Sequence, residues 1–432
     1  MICENLSVLD NGHLAFAGLD TVALAEQYGT PLYLMDEARI RERCRTYLSA
    51  VNEAFDGNAK VLYASKAASF KRIYEIMREE GMCTDVVSSG EIFTAKKAGF
   101  DLQNAYFHSN NKTDADIVYA MDVGVGYFVV DNEEELAVIA DEAAKRGIRQ
   151  KILLRLTPGI DPHTYEAINT GKVDSKFGSA IETGQAEIIA SAAMEFSSIR
   201  LCGFHCHVGS QVFDSDVYIR AADVMLEFVA MVQERYGLIT EELDLGGGYG
   251  VRYTEDDPVI DIRANILSVG AHMKEKAASL GIALPCVCFE PGRSIVADAG
   301  MTLYTVGTVK RIPGYKNYVS VDGSMADNIR HALYGAPYTV LAADNMTAAP
   351  DMTCTVAGRC CESGDLIAEG VSLPSSTRRG NILACLTTGA YHYSMASNYN
   401  RLGKPPVVMI ADGKSYVAVK RETFEDVSSL DV

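Results

Sequence analysis

Residues 286–293 read Cys286-Val287-Cys288-Phe289-Glu290-Pro291-Gly292-Arg293: four apolar residues, then a carboxylate, a proline, a glycine and a guanidinium. The apolar tetrad has the length and make-up of a buried strand, and the proline ends it. Seven comparable runs precede it: Lys60–Ala64, Cys83–Val87, Ala105–Phe107, Tyr127–Val130, Lys151–Leu156, Arg200–Cys206 and Glu242–Leu245. Between them lie amphipathic stretches such as Glu133–Arg146 and Val217–Tyr236, with apolar positions at helical spacing. Eight strand–helix alternations over about 250 residues are the arithmetic of a (β/α)8, TIM-type barrel. A doubly wound open sheet is the competing plan. It is expected to carry a G-x-G-x-x-G turn after its first strand, and this chain has none there.

Past Pro291 the texture changes. Met301–Lys310, Tyr318–Val321, Met352–Val356, Asn381–Leu386, Val407–Ala411 and Ser415–Lys420 are rich in Val, Thr, Ile and Tyr and are broken by Gly, Asp or Pro. That pattern predicts an antiparallel β domain. The N-terminus adds a hairpin signal, Leu6–Leu9, then Asp10-Asn11-Gly12, then His13–Phe16. The expected organisation is α/β plus all-β. A barrel over residues 36–290 is inserted into a separate antiparallel β domain made of residues 1–35 and 291–432.

The chain has 432 residues, 48% of them hydrophobic and 22% charged, the composition of a folded soluble enzyme rather than a disordered chain. Its net charge of −18 repels phosphate backbones and anionic lipids, which argues against nucleic-acid and membrane-surface partners. No apolar run reaches the ~18 residues of a membrane-spanning helix. Met1-Ile2-Cys3-Glu4-Asn5 has neither the basic nor the apolar region of a signal peptide. The 11 cysteines include no C-x-x-C pair, and several sit in strand-like runs, where a free thiol packs as a small hydrophobe. The expectation is a reduced, cytoplasmic protein.

In a barrel of this kind chemistry sits where strands end. The first run ends in Tyr63-Ala64-Ser65-Lys66-Ala67. A lysine there can be partly desolvated, lose its proton and act as an imine-forming amine; the plainer alternative is a surface lysine. The sixth ends in His205-Cys206-His207-Val208-Gly209-Ser210, placing His205 and His207 on one strand face. Zinc would need further ligands at suitable spacing, and no partner cluster stands out, so no metal is expected. The seventh ends in Gly246-Gly247-Gly248-Tyr249-Gly250, a run that makes either a tight turn or a close backbone approach to an anion. Barrels commonly build a phosphate site from the loops after strands seven and eight. Glu290 and Arg293 stand beside that candidate cradle. An amine, an anion cradle, a flat imidazole and a carboxylate in one mouth are what pyridoxal 5′-phosphate requires.

At these residues the chain resembles the diaminopimelate decarboxylases, fold-type III pyridoxal-phosphate enzymes grouped with the ornithine and arginine decarboxylases of that fold. The resemblance runs in order through Tyr28–Tyr33, Tyr63–Ala67, Asp85–Glu91, Ser175–Gly178, His205–Gln211, Gly246–Gly250 and Glu290–Arg293. It continues to Arg330, Leu333–Ala336, Cys361–Asp365 and Gly389–Tyr391. It implies that Lys66 carries the cofactor, that His207 stacks on its ring and that Glu290 faces the ring nitrogen. Ser210, Gly247 and Tyr391 would contact the phosphate, with Gly292 and Arg293 near it. A small diamino dicarboxylate would be held by Arg293, Arg330 and Tyr334 at its distal carboxylate and by Glu362 at its distal amino group, with Tyr391 alongside. Cys361 would return a proton to the α-carbon. The resemblance also implies a homodimer whose Cys361–Asp365 segment enters the partner's site.

Two departures stand out. Arg330-His331 replaces the family's common Arg-Pro, and Cys360 precedes Cys361, so the donor is assigned by the Glu362-Ser363-Gly364-Asp365 register. His205 is expected to be a packed strand residue, with Arg155 and Asp85 as supporting groups near the pocket. The implied reaction is decarboxylation of meso-2,6-diaminopimelate to L-lysine and CO2. The competing readings are a sister decarboxylase acting on arginine or carboxynorspermidine, alanine racemase, a non-catalytic pyridoxal-phosphate carrier barrel, and a metal-binding barrel.

Overall fold

A computed structural model describes residues 1–160 and 175–432. The chain forms two compact units. One comprises Cys44–Gly250 with Val259–Gly292; the other comprises Met1–Arg43, Val251–Pro258 and Arg293–Val432.

The first unit is a closed barrel of eight parallel strands: Ala59–Ala64, Cys83–Val86, Ala105–Phe107, Tyr127–Val130, Gln150–Thr157, Ile199–His205, Glu242–Asp244 and Cys286–Phe289. Each pairs with the next, and the last closes on the first through Val287↔Ala59, Cys288↔Lys60 and Phe289↔Val61. All eight predicted strands are present, with no end shifted by more than one residue. The helix Glu133–Arg146 shows how sequence sets the connections. Asn132 caps its start by accepting from the Glu135 N–H, three glutamates fill its first turn, and Gly147 ends it in a left-handed conformation.

Side chains alternate across a strand, so every second residue points into the barrel. Leu62, Tyr106, Val129, Leu153, Cys202 and Cys288 come from six different strands and pack into one buried cluster, which fills the interior. At the end where the strands begin, Glu242 is held by Lys60 (2.6 Å) and by the hydroxyls of Tyr106 (2.7 Å) and Tyr127 (2.8 Å). The two phenol rings stack at 4.3 Å. This plug closes the barrel floor, the end of such barrels that serves stability.

The second unit is a mostly antiparallel β structure. Its sheet runs in the order Leu366–Leu373, Met352–Ala357, Lys316–Val321, Gly300–Ile312, Leu32–Asp36, Val407–Ala411, Lys414–Val419. Ile382–Leu386 joins Gly300–Ile312, and Val340–Ala342 joins Ile382–Leu386. Two pairs are parallel, Lys316–Val321 with Met352–Ala357 and Leu32–Asp36 with Val407–Ala411, so the sheet is mixed where the sequence suggested antiparallel pairing throughout. Leu32–Asp36 reads poorly as a strand because all five residues are buried and no alternation survives. The N-terminal hairpin forms as read, Leu6–Val8 against Leu14–Phe16.

The floor plug generates a stability prediction. Glu242→Ala leaves one ammonium and two phenols without their acceptor and should cost about 3 kcal/mol. The urea midpoint of the variant should fall accordingly while cofactor absorbance persists; an unchanged midpoint would contradict the structural role.

Candidate active site

At the opposite end of the barrel the inward positions turn polar. Asp85, Arg155, His205 and Asp244 lie on strands; His108, Asp131 and Glu290 come within a residue of strand ends. Lys66 stands in a short turn after the first strand, Ser65–Ala67, and is the one exposed residue between Val61 and Ala68.

Glu290 organises this layer. It is buried, yet His108 Nε2 lies 2.8 Å from one carboxylate oxygen and His205 Nε2 lies 3.0 Å from the other. The two imidazoles meet edge to face at 4.9 Å. Burial alone would raise the carboxyl's pKa. The two imidazoles outweigh it and hold Glu290 well below its ordinary range, so it stays ionised. Asp244 responds in the opposite direction. Burial and the Glu290 charge push its pKa well up and keep its proton on. Burial and the same charge network lift Asp85 to about 6, against the pull of His108. Burial holds His205 below its usual value despite Glu290. His207 lies well below its own, through burial and the neighbouring Lys66 and Arg155 charges. Both rings are therefore neutral near pH 7. The donor atoms of His108, His205 and Glu290 lie within 4.8 Å of one another, so the fold supplies His205 with the partners that sequence spacing did not reveal.

Beside this layer the loops after strands six and seven are tied together. Val212 N–H donates to the Gly248 carbonyl and Gly250 N–H to the Val212 carbonyl, both at 2.9 Å, which sets Ser210 next to the glycine run. A Cβ on Gly247 would sit 2.0 Å from the Glu290 carbonyl oxygen, and one on Gly292 would sit 2.9 Å from that of Ala64. Only glycine fits either place, and both leave backbone bare at the mouth, as an anion cradle needs. An exposed amine, an ionised buried carboxylate, a neutral imidazole and a bare backbone cradle fit pyridoxal phosphate.

The β unit holds a second cluster. Arg293 and Arg330 are both buried, and each donates from Nη1 to the Tyr253 hydroxyl, at 2.6 and 3.1 Å. Arg330 also donates to the Tyr338 hydroxyl at 2.7 Å. The Tyr391 ring lies against both guanidiniums, at 4.9 Å from Arg293 and 5.7 Å from Arg330. Tyr334, one helical turn beyond Arg330, is exposed. His331, at the departure from the family's proline, has Nδ1 3.0 Å from the Ala336 carbonyl and pins the turn that follows the Arg330–Tyr334 helix. Cys361 and Glu362 are exposed on the loop joining Met352–Ala357 to Leu366–Leu373. Asp365 shapes that loop by accepting from Met325 N–H (2.5 Å) and Cys360 N–H (2.6 Å).

Residues 37–297 match the family model for the pyridoxal-binding domain of pyridoxal-dependent decarboxylases. The chain is 44% identical to the diaminopimelate decarboxylase of Bacillus subtilis, over 98% of this chain and 96% of that one. The chain belongs to the diaminopimelate decarboxylases. That of Staphylococcus aureus is 42% identical over 96% of both chains. Among solved structures, the diaminopimelate decarboxylase of M. jannaschii aligns with a TM-score of 0.91 at 31% identity, covering 99% of this chain and 98% of that one. The Helicobacter pylori enzyme complexed with L-lysine aligns at 0.85 with 30% identity, covering 95% and 99%.

Within this decarboxylase fold, the predicted residues fall into three groups. Lys66, His207, Ser210, Gly247, Glu290 and Gly292 belong to the barrel mouth. Arg293, Arg330 and Tyr391 gather in the β unit, and Tyr334, Cys361 and Glu362 are exposed on it. His205 is packed as expected, but it also grips Glu290. Sequence reading missed His108 and Tyr253. His108 follows the third strand directly, the same rim position that singles out Lys66 and Glu290, so applying that rule to every strand finds it. Tyr253 carries no such signal.

His392, buried and in contact with Tyr338, supplies a pH test. Burial and the Arg330 charge lower its pKa from 6.5 to about 3. Between those values the unfolded chain binds the proton and the folded one does not, so its contribution is full above pH 6.5 and is lost as pH falls. His392→Gln should therefore flatten the loss of stability between pH 6 and 4 by about 1.4 kcal/mol per pH unit. Parallel slopes for the variant and the parent in pH-stepped urea melts would contradict the assignment.

Proposed function

We propose that this protein decarboxylates meso-2,6-diaminopimelate to L-lysine and CO2, the last step of lysine synthesis, with pyridoxal 5′-phosphate as cofactor. The observation that carries the choice of substrate is the buried Arg293–Arg330 pair, in a chain that matches decarboxylases of this name end to end. A buried guanidinium whose described partners are phenols is suited to a ligand carboxylate, which offers two oxygens to its planar donors. Ornithine and arginine carry no second carboxylate for it.

Each residue then has a task. Lys66 offers the amine that carries the cofactor. Gly247, Ser210 and Tyr391 would hold its phosphate, with Gly292 and Arg293 near it, and the neutral His207 would stack on its ring. Glu290, kept ionised by His108 and His205, faces the ring nitrogen and favours its protonated form. Bound there, pyridoxal phosphate supplies an electron sink for the pair that departing CO2 leaves on the α-carbon. Arg293, Arg330 and Tyr334 grip the distal carboxylate, Glu362 the distal ammonium, and Tyr391 borders the substrate. Cys361 donates the proton that replaces CO2 and recovers it from solvent.

The exposed positions of Cys361 and Glu362 support a homodimer in which this loop serves the partner subunit's barrel and shields its mouth from water. None of the 11 cysteines forms a disulfide, which supports residence in a reducing cytoplasm.

Subunit mixing tests the reading. The parent protein should release CO2 from meso-diaminopimelate and not from ornithine or arginine. Lys66→Ala and Cys361→Ala should each be nearly inactive. After dissociation and reassociation together, half of the dimers are mixed and each has one intact site, so about a quarter of all sites should recover. Failure of exchanged subunits to recover would refute the shared site, and CO2 from arginine or ornithine alone would refute the substrate.

A further inference from the structure

Tyr253, which the sequence does not single out, touches three members of the second cluster: Arg293, Arg330 and Tyr338. It lies on Val251–Pro258, the short segment that follows the glycine run and belongs to the β unit. Its backbone is pinned on both sides. The Tyr253 N–H donates to Asp257 Oδ2 at 2.8 Å, and its carbonyl accepts from Thr339 Oγ1 at 2.8 Å. Its ring meets Tyr338 edge to face at 5.4 Å. The residue is 3% exposed, so the hydroxyl's position is fixed by packing rather than by solvent.

Two guanidiniums converge on that one oxygen, Arg293 at 2.6 Å and Arg330 at 3.1 Å. Like charges brought this close in a buried place repel, and something between them must hold them. Among the described residues no carboxylate pairs with Arg330. A phenol oxygen has two acceptor lone pairs, one for each guanidinium. Burial alone would raise the phenol's pKa; the two guanidiniums outweigh it and set it below its ordinary value. The oxygen thus behaves as the acceptor for both cations.

We propose that Tyr253 is a positioning residue for substrate specificity, whose hydroxyl bridges Arg293 and Arg330 and holds them as one carboxylate-binding unit. A carboxylate that joins the pair adds charge neutralisation to a fork already in place, so its affinity gains from preorganisation. The proposal rests on the reading that these arginines take the distal carboxylate. Tyr338, which touches Arg330 and not Arg293, cannot perform the same bridge.

Tyr253→Phe keeps the ring and removes only the oxygen. In the cofactor-loaded enzyme, KM for meso-diaminopimelate should rise at least tenfold with kcat changed less than threefold. The Kd for L-lysine, which retains the distal carboxylate, should rise by a similar factor in calorimetric titrations. Cofactor absorbance and the urea midpoint, the readouts of a merely structural role, should stay near those of the parent. Tyr338→Phe should raise both constants by a much smaller factor. Arg330→Ala separates the two levels of inference. If it binds L-lysine as the parent does, the carboxylate reading itself fails. If it loses L-lysine while Tyr253→Phe keeps parental KM and Kd, the bridge alone is overturned. An equal loss in Tyr338→Phe and Tyr253→Phe would also overturn it, since Tyr338 meets one arginine only.

Discussion

A carboxylate kept charged inside a barrel is the constraint around which this molecule is arranged. Glu290 is ionised although buried, because the imidazoles of His108 and His205 approach its two oxygens and a protonated Asp244 adjoins it. An isolated charge at that depth would take up a proton rather than persist. The three supporting groups come from strands far apart in sequence, the third, sixth and seventh, and only closure of the barrel brings them to the eighth. Closure depends in turn on the apolar middle layer and on the Glu242 plug below it. The stack of polar floor, apolar middle and charged mouth follows from the two-residue period of a strand.

That period also explains what the sequence reveals. Strand runs, their number and the change of texture after Pro291 are local properties, and the barrel follows from them with no long-range information. Lys66 and Glu290 are legible because each closes a strand with a group that has no structural reason to be there. His108 obeys the same rule but sits after a three-residue strand, where its imidazole reads as ordinary loop chemistry. The hydrogen bond from His205 to Glu290 spans 85 residues and is set by barrel closure.

The β unit was less legible, for physical reasons. Leu32–Asp36 is buried on both faces and shows no alternation, and its pairing with Val407–Ala411 joins segments nearly the whole chain apart. Tyr253 belongs to a segment of the β unit that emerges from within the barrel sequence, and no composition shift marks it. Arg330 was found through its likeness to a family pattern, whereas its burial between phenols is a fact of the fold. His331 shows that a departure from such a pattern can be absorbed locally, since its ring takes over the turn that follows.

The division of labour between the units is one of charge. The barrel presents a fixed negative carboxylate and neutral imidazoles; the β unit presents two fixed positive guanidiniums. The proposed reaction needs the first to keep the cofactor's ring nitrogen protonated and the second to choose a substrate with a second carboxylate. The most direct measurement is the 15N resonance of the ring nitrogen in enzyme loaded with labelled pyridoxal phosphate, compared with Glu290→Gln. The account predicts a protonated nitrogen at neutral pH in the parent and its loss in the variant; an unprotonated nitrogen in the parent would contradict it.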